Sequence, residues 1–166
     1  MTDSLGTLRR DDERMSVRFE RLYDATPEEL WAALTDPAQI RGWLAEATRF
    51  ELAVGGEIEL RFGETDDEVT RGRIRELEPG RVLEYDWNYT GETDSVVRFE
   101  LVRQEHGTLL VLDHRHLDAE AAPGYGAGWQ AHLEALAAPF SGNADRWWRR
   151  FEELRPSYEA AAAALG

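Results

Sequence analysis

Residues 25–43, ATPEELWAALTDPAQIRGW, write two helix starts back to back. Thr26 is placed to cap the first helix, with Pro27 at its first position and Glu29 three residues past the cap. Asp36 is placed to cap the second, with Pro37 and Gln39 in the same roles. In a capping box the cap and third-position side chains satisfy backbone N–H groups that the first helical turn leaves free. Proline suits the first position because its missing N–H is one of those groups. Leu30, Trp31 and Leu34 make one apolar face, and Ile40, Trp43 and Leu44 make another. Two short helices wedged between one strand and a long run of strands describe an architecture and say little about chemistry.

On the N-terminal side, Thr7–Arg10 and Arg14–Tyr23 flank Asp11, Asp12 and Glu13 and read as a small hairpin. On the C-terminal side a meander follows: Ala47–Leu52, Glu57–Phe62, Val69–Leu77, Arg81–Tyr89, Ser95–Arg103 and Thr108–Leu117. Gly55-Gly56, Pro79-Gly80, Gly91–Asp94 and Gly107 punctuate it. Within it Ile58, Leu60 and Phe62, then Leu83, Tyr85 and Trp87, then Val97, Phe99 and Leu101 recur at period two. The outward faces of the strands around residues 57–62, 69–77 and 81–89 read acidic, basic, acidic. That charge order suits sequential antiparallel pairing and makes Arg71, Arg73 and Arg75 a solvated ladder rather than an anion patch. Trp129, Leu133, Leu136 and Phe140 then form the stripe of a long helix that Ser141-Gly142 ends. A further helix starts at Asn143, with Trp147, Phe151, Leu154 and Tyr158 on one face, and Pro156 is expected to kink or restart it. The expected fold is α+β: a curved antiparallel sheet, two short helices after the first strand, and a long C-terminal helix packed across the sheet. Residues 1–142 are expected to form one domain with a short N-terminal extension. Residues 143–166 read as a helical extension packed on it.

Composition narrows the function. The 166 residues suit one domain, with 42% apolar and 31% charged. There is no cysteine, which excludes disulfides, thiol nucleophiles and Cys-ligated metals. All 19 basic residues are Arg, so Schiff-base chemistry and a P-loop lysine are excluded as well. A net charge of −14 makes nucleic acid and anionic membranes poor partners. No stretch reaches membrane-spanning length and the polar start does not read as a secretory signal, so a cytoplasmic location is expected.

The order of elements resembles the helix-grip fold of the START and birch-pollen-allergen (SRPBCC) superfamily. Within it the chain resembles the group named for homology to the heat-shock-protein-90 ATPase activator. The residues that carry this are Phe19–Arg21, Tyr23–Ala25, Leu30-Trp31, Leu34–Pro37, Trp43, Gly55-Gly56, Gly72, Glu78–Gly80, Leu83–Trp87, Gly107–His114, and Gly128-Trp129 with Leu133 and Leu136. They span about residues 7–142, and Leu154–Tyr158 resembles an extension of some bacterial members. The resemblance implies a cavity for a hydrophobic small molecule between the sheet and the long helix. It also names two alternatives. One is an enzyme of the cyclase, dehydratase or hydrolase type. The other is a regulator of the heat-shock-protein-90 chaperone ATPase, although the eukaryotic activator uses a further N-terminal domain for which this length leaves no room.

The candidate ligand-binding residues are Trp43, Leu60, Phe62, Tyr85, Trp87, Phe99, Leu112, His114, Trp129 and His132. Any one aromatic among them reads as core; together they compose an aromatic-walled pocket for a flat apolar ligand. Tyr85 and His114 are the expected polar anchors. His114 and His116 lie two apart on a strand, and His132 flanks the helical stripe one turn from Trp129. Convergence of the three would suit a metal or proton transfer, with His114 or His132 as the catalytic candidate. The plainer expectation is a pocket-lining His114, a solvent-facing His116 and a His132 on the helix flank, with no metal and no cofactor. Asp113 and Glu120 are general-base candidates by geometry alone. Gly124, Gly126 and Gly128 imitate half of a dinucleotide fingerprint but read instead as a loop that lets the long helix approach the sheet. There is no nucleophile elbow, and Ser95 and Ser141 have no partner at informative spacing. Of Trp147 and Trp148, one is expected to pack with Phe151 and the other to mark a partner surface, which leaves a homodimer open.

Overall fold

A computed structural model describes residues 4–137 and 144–165. Its strands are β1 (Thr7–Asp11), β2 (Arg14–Tyr23), β3 (Glu46–Phe50), β4 (Glu57–Arg61), β5 (Val69–Glu78), β6 (Val82–Tyr89), β7 (Ser95–Gln104) and β8 (Gly107–Asp118). Its helices are α1 (Pro27–Thr35), α2 (Pro37–Ile40), α3 (Ala122–Ala137) and α4 (Ala144–Ala164). All eight strands form one antiparallel sheet in the order β1-β2-β8-β7-β6-β5-β4-β3. This is the helix-grip arrangement expected from the sequence. Register shifts between β2 and β8, β3 and β4, and β5 and β6 each add a local bend, which curves the sheet around its apolar face.

The first capping box forms in full: Glu29 N donates to Thr26 Oγ1 at 3.1 Å and Thr26 N to Glu29 Oε1 at 2.8 Å. The second forms by half. Asp36 Oδ1 accepts from Ala38 N at 3.0 Å, but the Asp36 N–H donates to the Ala32 carbonyl at 2.8 Å to close α1. That N–H is therefore engaged before Gln39 could receive it, and α2 stops after four residues. The two helices cover one end of the sheet, and the Trp43 indole donates to the Ala33 carbonyl at 2.8 Å to fix the chain as it returns to β3.

The expected charge ladder is present: Arg71 meets Glu59 at 2.9 Å, Arg73 meets Glu57 at 3.1 Å, and Arg75 meets Asp86 at 3.0 Å. These pairs are solvated and contribute little each.

Two expectations about the helices need correcting. Gly124, Gly126 and Gly128 are not in a loop but within the first turns of α3. The close approach is that of Gly126 to α4 rather than to the sheet, because a Cβ there would enter the Tyr158 ring. The α4 helix continues through Pro156 and does not restart there. Tyr158 is fully buried; its hydroxyl accepts from Gly6 N at 2.7 Å and donates to Gln130 Oε1 at 2.5 Å. With the Arg150–Glu134 pair at 2.8 Å, these contacts hold α4 against α3 and the N-terminal segment. Phe140, the Ser141-Gly142 helix end, the Asn143 start and the boundary at residues 142–143 lie outside the described residues. Among the described residues no helix is long and apolar enough to cross a membrane.

Candidate functional site

Two histidines enter the interior, and they are held differently. His114 follows Leu110 and Leu112 along the inward face of β8 and is fully buried. Its Nδ1 accepts from the Trp129 indole N–H at 2.9 Å, so that nitrogen carries no proton. Its Nε2 must then carry it and donates to Ser95 Oγ at 2.8 Å, while the Ser95 hydroxyl donates to the Trp87 carbonyl, also at 2.8 Å. Both imidazole nitrogens are engaged, and the protons run in the direction opposite to a serine nucleophile activated by a histidine base. Burial first, and then the neighbouring Arg115 guanidinium, hold His114 down to about 3, so the ring stays neutral. The sequence reading assigned Ser95 no partner because its partner lies across a strand pair, where β7 runs beside β8.

His116 does not share the inward face with His114. The register between β2 and β8 shifts where Ser16 faces both Arg115 and His116. His116 takes φ 65° in this bulge and is exposed, after which Leu117 turns inward. The period-two argument fails at the extra residue, so the three histidines do not converge. Asp113 faces Arg18 on the outer side of the sheet at 3.8 Å.

His132 lies on α3 beyond Trp129, whose ring centroid is 6.0 Å from that of His114 and 5.8 Å from that of His132. The two imidazoles are thus separated by an indole. The His132 Nδ1–H donates to the Trp43 carbonyl at 2.9 Å, because a carbonyl only accepts. In the neutral ring Nε2 is the acceptor, and no described residue hydrogen-bonds it. Burial among aromatic rings lowers His132 to about 4 against the opposing pull of the Trp43 carbonyl. Phe62 and Trp147 pack on the ring, with centroids at 6.2 and 4.9 Å.

This imidazole lines a cavity of about 580 Å³ that lies between α3, α4, the turn after α2 and the β4–β6 end of the sheet. Of the ten residues read as ligand-binding, Trp43, Phe62, Trp87, Trp129 and His132 line it. Leu60, Tyr85, Phe99, Leu112 and His114 do not; they are buried in the packed core beneath. Tyr85 stands between Phe50, Trp87 and Phe99, and burial raises its phenol above the usual range.

The sequence reading missed the outer wall. Trp147, Trp148 and Phe151 on α4 close the cavity over His132, with Trp147 stacked on Phe151 at 5.2 Å and 16°. Trp148, 54% exposed, forms part of the rim. The recurrence of Trp147 and Phe151 on one helix face is visible in the sequence as a packing signal, but the surface they pack on is not. Tyr125 was also missed: it accepts from the Trp87 indole at 3.1 Å and donates to Glu92 at 2.5 Å. Among the described residues nothing hydrogen-bonds the buried Trp147 Nε1–H. The cavity therefore offers aromatic faces and an acceptor at His132, with Arg41, Glu68, Glu92, Glu120 and Arg155 also along its lining.

The family described as Activator of Hsp90 ATPase homolog 1-like protein matches residues 24–141. The chain belongs to this family. Its fold is similar to that of CalU16 from Micromonospora echinospora, with 29% identity, coverage of 95% of each chain and a TM-score of 0.76. Two further likenesses show the fold alone. The first is to a conserved protein of unknown function, EF2215 from Enterococcus faecalis. Identity there is 21%, coverage is 97% of this chain and 92% of that one, and the TM-score is 0.77. The second is to DynU16, a protein in the dynemicin biosynthetic locus. Identity is 23%, coverage is 76% of this chain and 46% of that one, and the TM-score is 0.67. No curated protein matches the chain. The family's matched segment ends within residues 138–143, so Trp147, Trp148 and Phe151 of the cavity lie beyond it.

Proposed function

We propose that this family member binds a hydrophobic, ring-containing small molecule in the cavity between α3, α4 and the sheet. The observation that carries this reading is the cavity itself. About 580 Å³ lies within the range of small-molecule sites, and the walls are mainly indole, phenyl and phenol faces, with charged side chains such as Arg41, Glu68 and Glu92 beside them. A packed core would have closed such a space; here the close packing lies one layer below, around Tyr85, Phe99 and His114. His132 Nε2 supplies an acceptor that orients the ligand. The polar-anchor role thus passes from His114, whose nitrogens are both engaged, to His132.

Native mass spectrometry of freshly purified protein, followed by denaturation of the same sample, tests the reading. A small mass present natively and lost on denaturation supports it. A neutral bicyclic probe such as 2-naphthylmethanol is then titrated calorimetrically. Saturable binding is expected, and it weakens at least about tenfold in Trp147→Ala, which removes one wall. A clean unliganded mass together with no heat from the probe up to millimolar concentration refutes the proposal.

A further inference from the structure

Charge at the cavity mouth is arranged unlike charge on the sheet's outer face. There carboxylates and guanidiniums alternate in pairs, as in Glu59 with Arg71 and Glu57 with Arg73. At the mouth Glu68, Glu92 and Glu120 have no ion pair among the described residues. Two guanidiniums also reach the lining. Arg155 is engaged, since it pairs with Glu159 at 3.2 Å and lies 5.7 Å over the Phe151 ring. Arg41 stands on the α2 side and leaves the opposite side acidic.

That acidic side has a centre. Tyr89, Glu68 and Glu92 line the same part of the cavity, and the phenol of Tyr89 is raised above its usual range by burial first, and then by the carboxylates of Glu68, Glu92 and Asp67. Glu68 precedes β5 and Glu92 follows β6, so the register of the β5–β6 pair, with Thr70 opposite Tyr89, brings the two loops together at this end. The aromatic wall runs inward from the same point. Tyr89 packs on Phe62 at 6.1 Å, and Phe62 packs on Trp87 at 5.6 Å. These carboxylates are exposed, and beside the ring faces they attract an ammonium, because the ring quadrupole and the counter-charge act on it together.

We infer that the ligand is a cation: a flat apolar body bearing a protonated or quaternary amine. Its body lies along Phe62, Trp87 and Trp129, and its ammonium lies beside Tyr89 between Glu68 and Glu92. This rests on the reading of the cavity as a binding site and adds the ligand's charge. Aromatic faces attract an ammonium by about 0.5–2 kcal/mol. The unpaired carboxylates act in the same direction and reject an anion of the same shape.

Three probes of one shape test it calorimetrically at pH 7 and low ionic strength: 2-naphthylmethylamine as the ammonium, 2-naphthylmethanol as the neutral form, and 2-naphthoate as the anion. The amine is expected to bind at least about tenfold more tightly than the alcohol, and the naphthoate more weakly than the alcohol. The amine's advantage should shrink at 0.5 M salt, an ionic strength at which charges more than a few ångströms apart are screened. In the double variant Glu68→Gln, Glu92→Gln, the amine's advantage over the alcohol should shrink, and an unchanged advantage overturns the role given to these carboxylates. Equal binding of all three, or tightest binding of the naphthoate, overturns the inference while the cavity reading stands. Failure of all three to bind overturns both.

Discussion

Because both nitrogens of His114 are engaged in the folded protein and neither accepts a further proton, acidification should weaken the fold through this one side chain. The folded ring is held down to about 3, while the unfolded ring titrates near its ordinary value of 6.5. Between those values the unfolded chain binds a proton that the folded chain refuses. The contribution is therefore fully present above pH 6.5 and is lost as pH falls toward 3. Each unit is worth about 1.4 kcal/mol, so at pH 5, some 1.5 units below the unfolded value, the loss is about 2 kcal/mol. That is a large share of a typical domain stability of about 5–15 kcal/mol. The effect of this one side chain is isolated by comparison with His114→Gln. Glutamine keeps one donor and one acceptor but does not titrate. Urea denaturation of both proteins at pH 7 and pH 5 should show the wild type's advantage shrinking by about 2 kcal/mol, roughly a 1 M change in the difference between midpoints. Wild-type nitrogen shifts of His114 measured by NMR give a second reading, independent of whether the variant folds. They should report the neutral Nε2–H tautomer at both pH values. Parallel stability differences, or an imidazole that protonates between pH 7 and 5, would refute the hydrogen-bond assignment.

Two further substitutions test the packing of α4 and the start of α1. Gly126→Ala should destabilise by about 1–3 kcal/mol in urea melts, although alanine is the better helix former by about 1 kcal/mol, because its Cβ enters the Tyr158 ring. A stabilised variant would show that α4 does not pack there. Thr26→Ala should cost about 1 kcal/mol by the same measurement, since the capping box is complete, and an unchanged midpoint would contradict it.

What the sequence by itself determined is what depends on neighbours along the chain. Thr26 and Glu29 are three residues apart, so the capping box is written locally and was legible. Residues such as Ile58, Leu60 and Phe62, or Val97, Phe99 and Leu101, alternate at period two, so their strands and buried face were legible too. Even these local rules gave way where one atom had two claimants, as at the Asp36 N–H, or where one extra residue turned His116 outward. The tertiary structure alone decided which aromatics are core and which are wall. Tyr85, Phe99, Trp87 and Trp129 look alike in composition, yet the first two are core and the last two are wall, and no spacing says that α4 leaves a cavity beside His132. It also decided that His114, the more conspicuous histidine, is tied to Ser95 and Trp129, while His132 keeps a free lone pair. The physical reason is range. A cap or an alternation depends on backbone geometry within a turn or two, whereas a cavity and a hydrogen-bond partner depend on the shapes of segments that meet only once the sheet has curved.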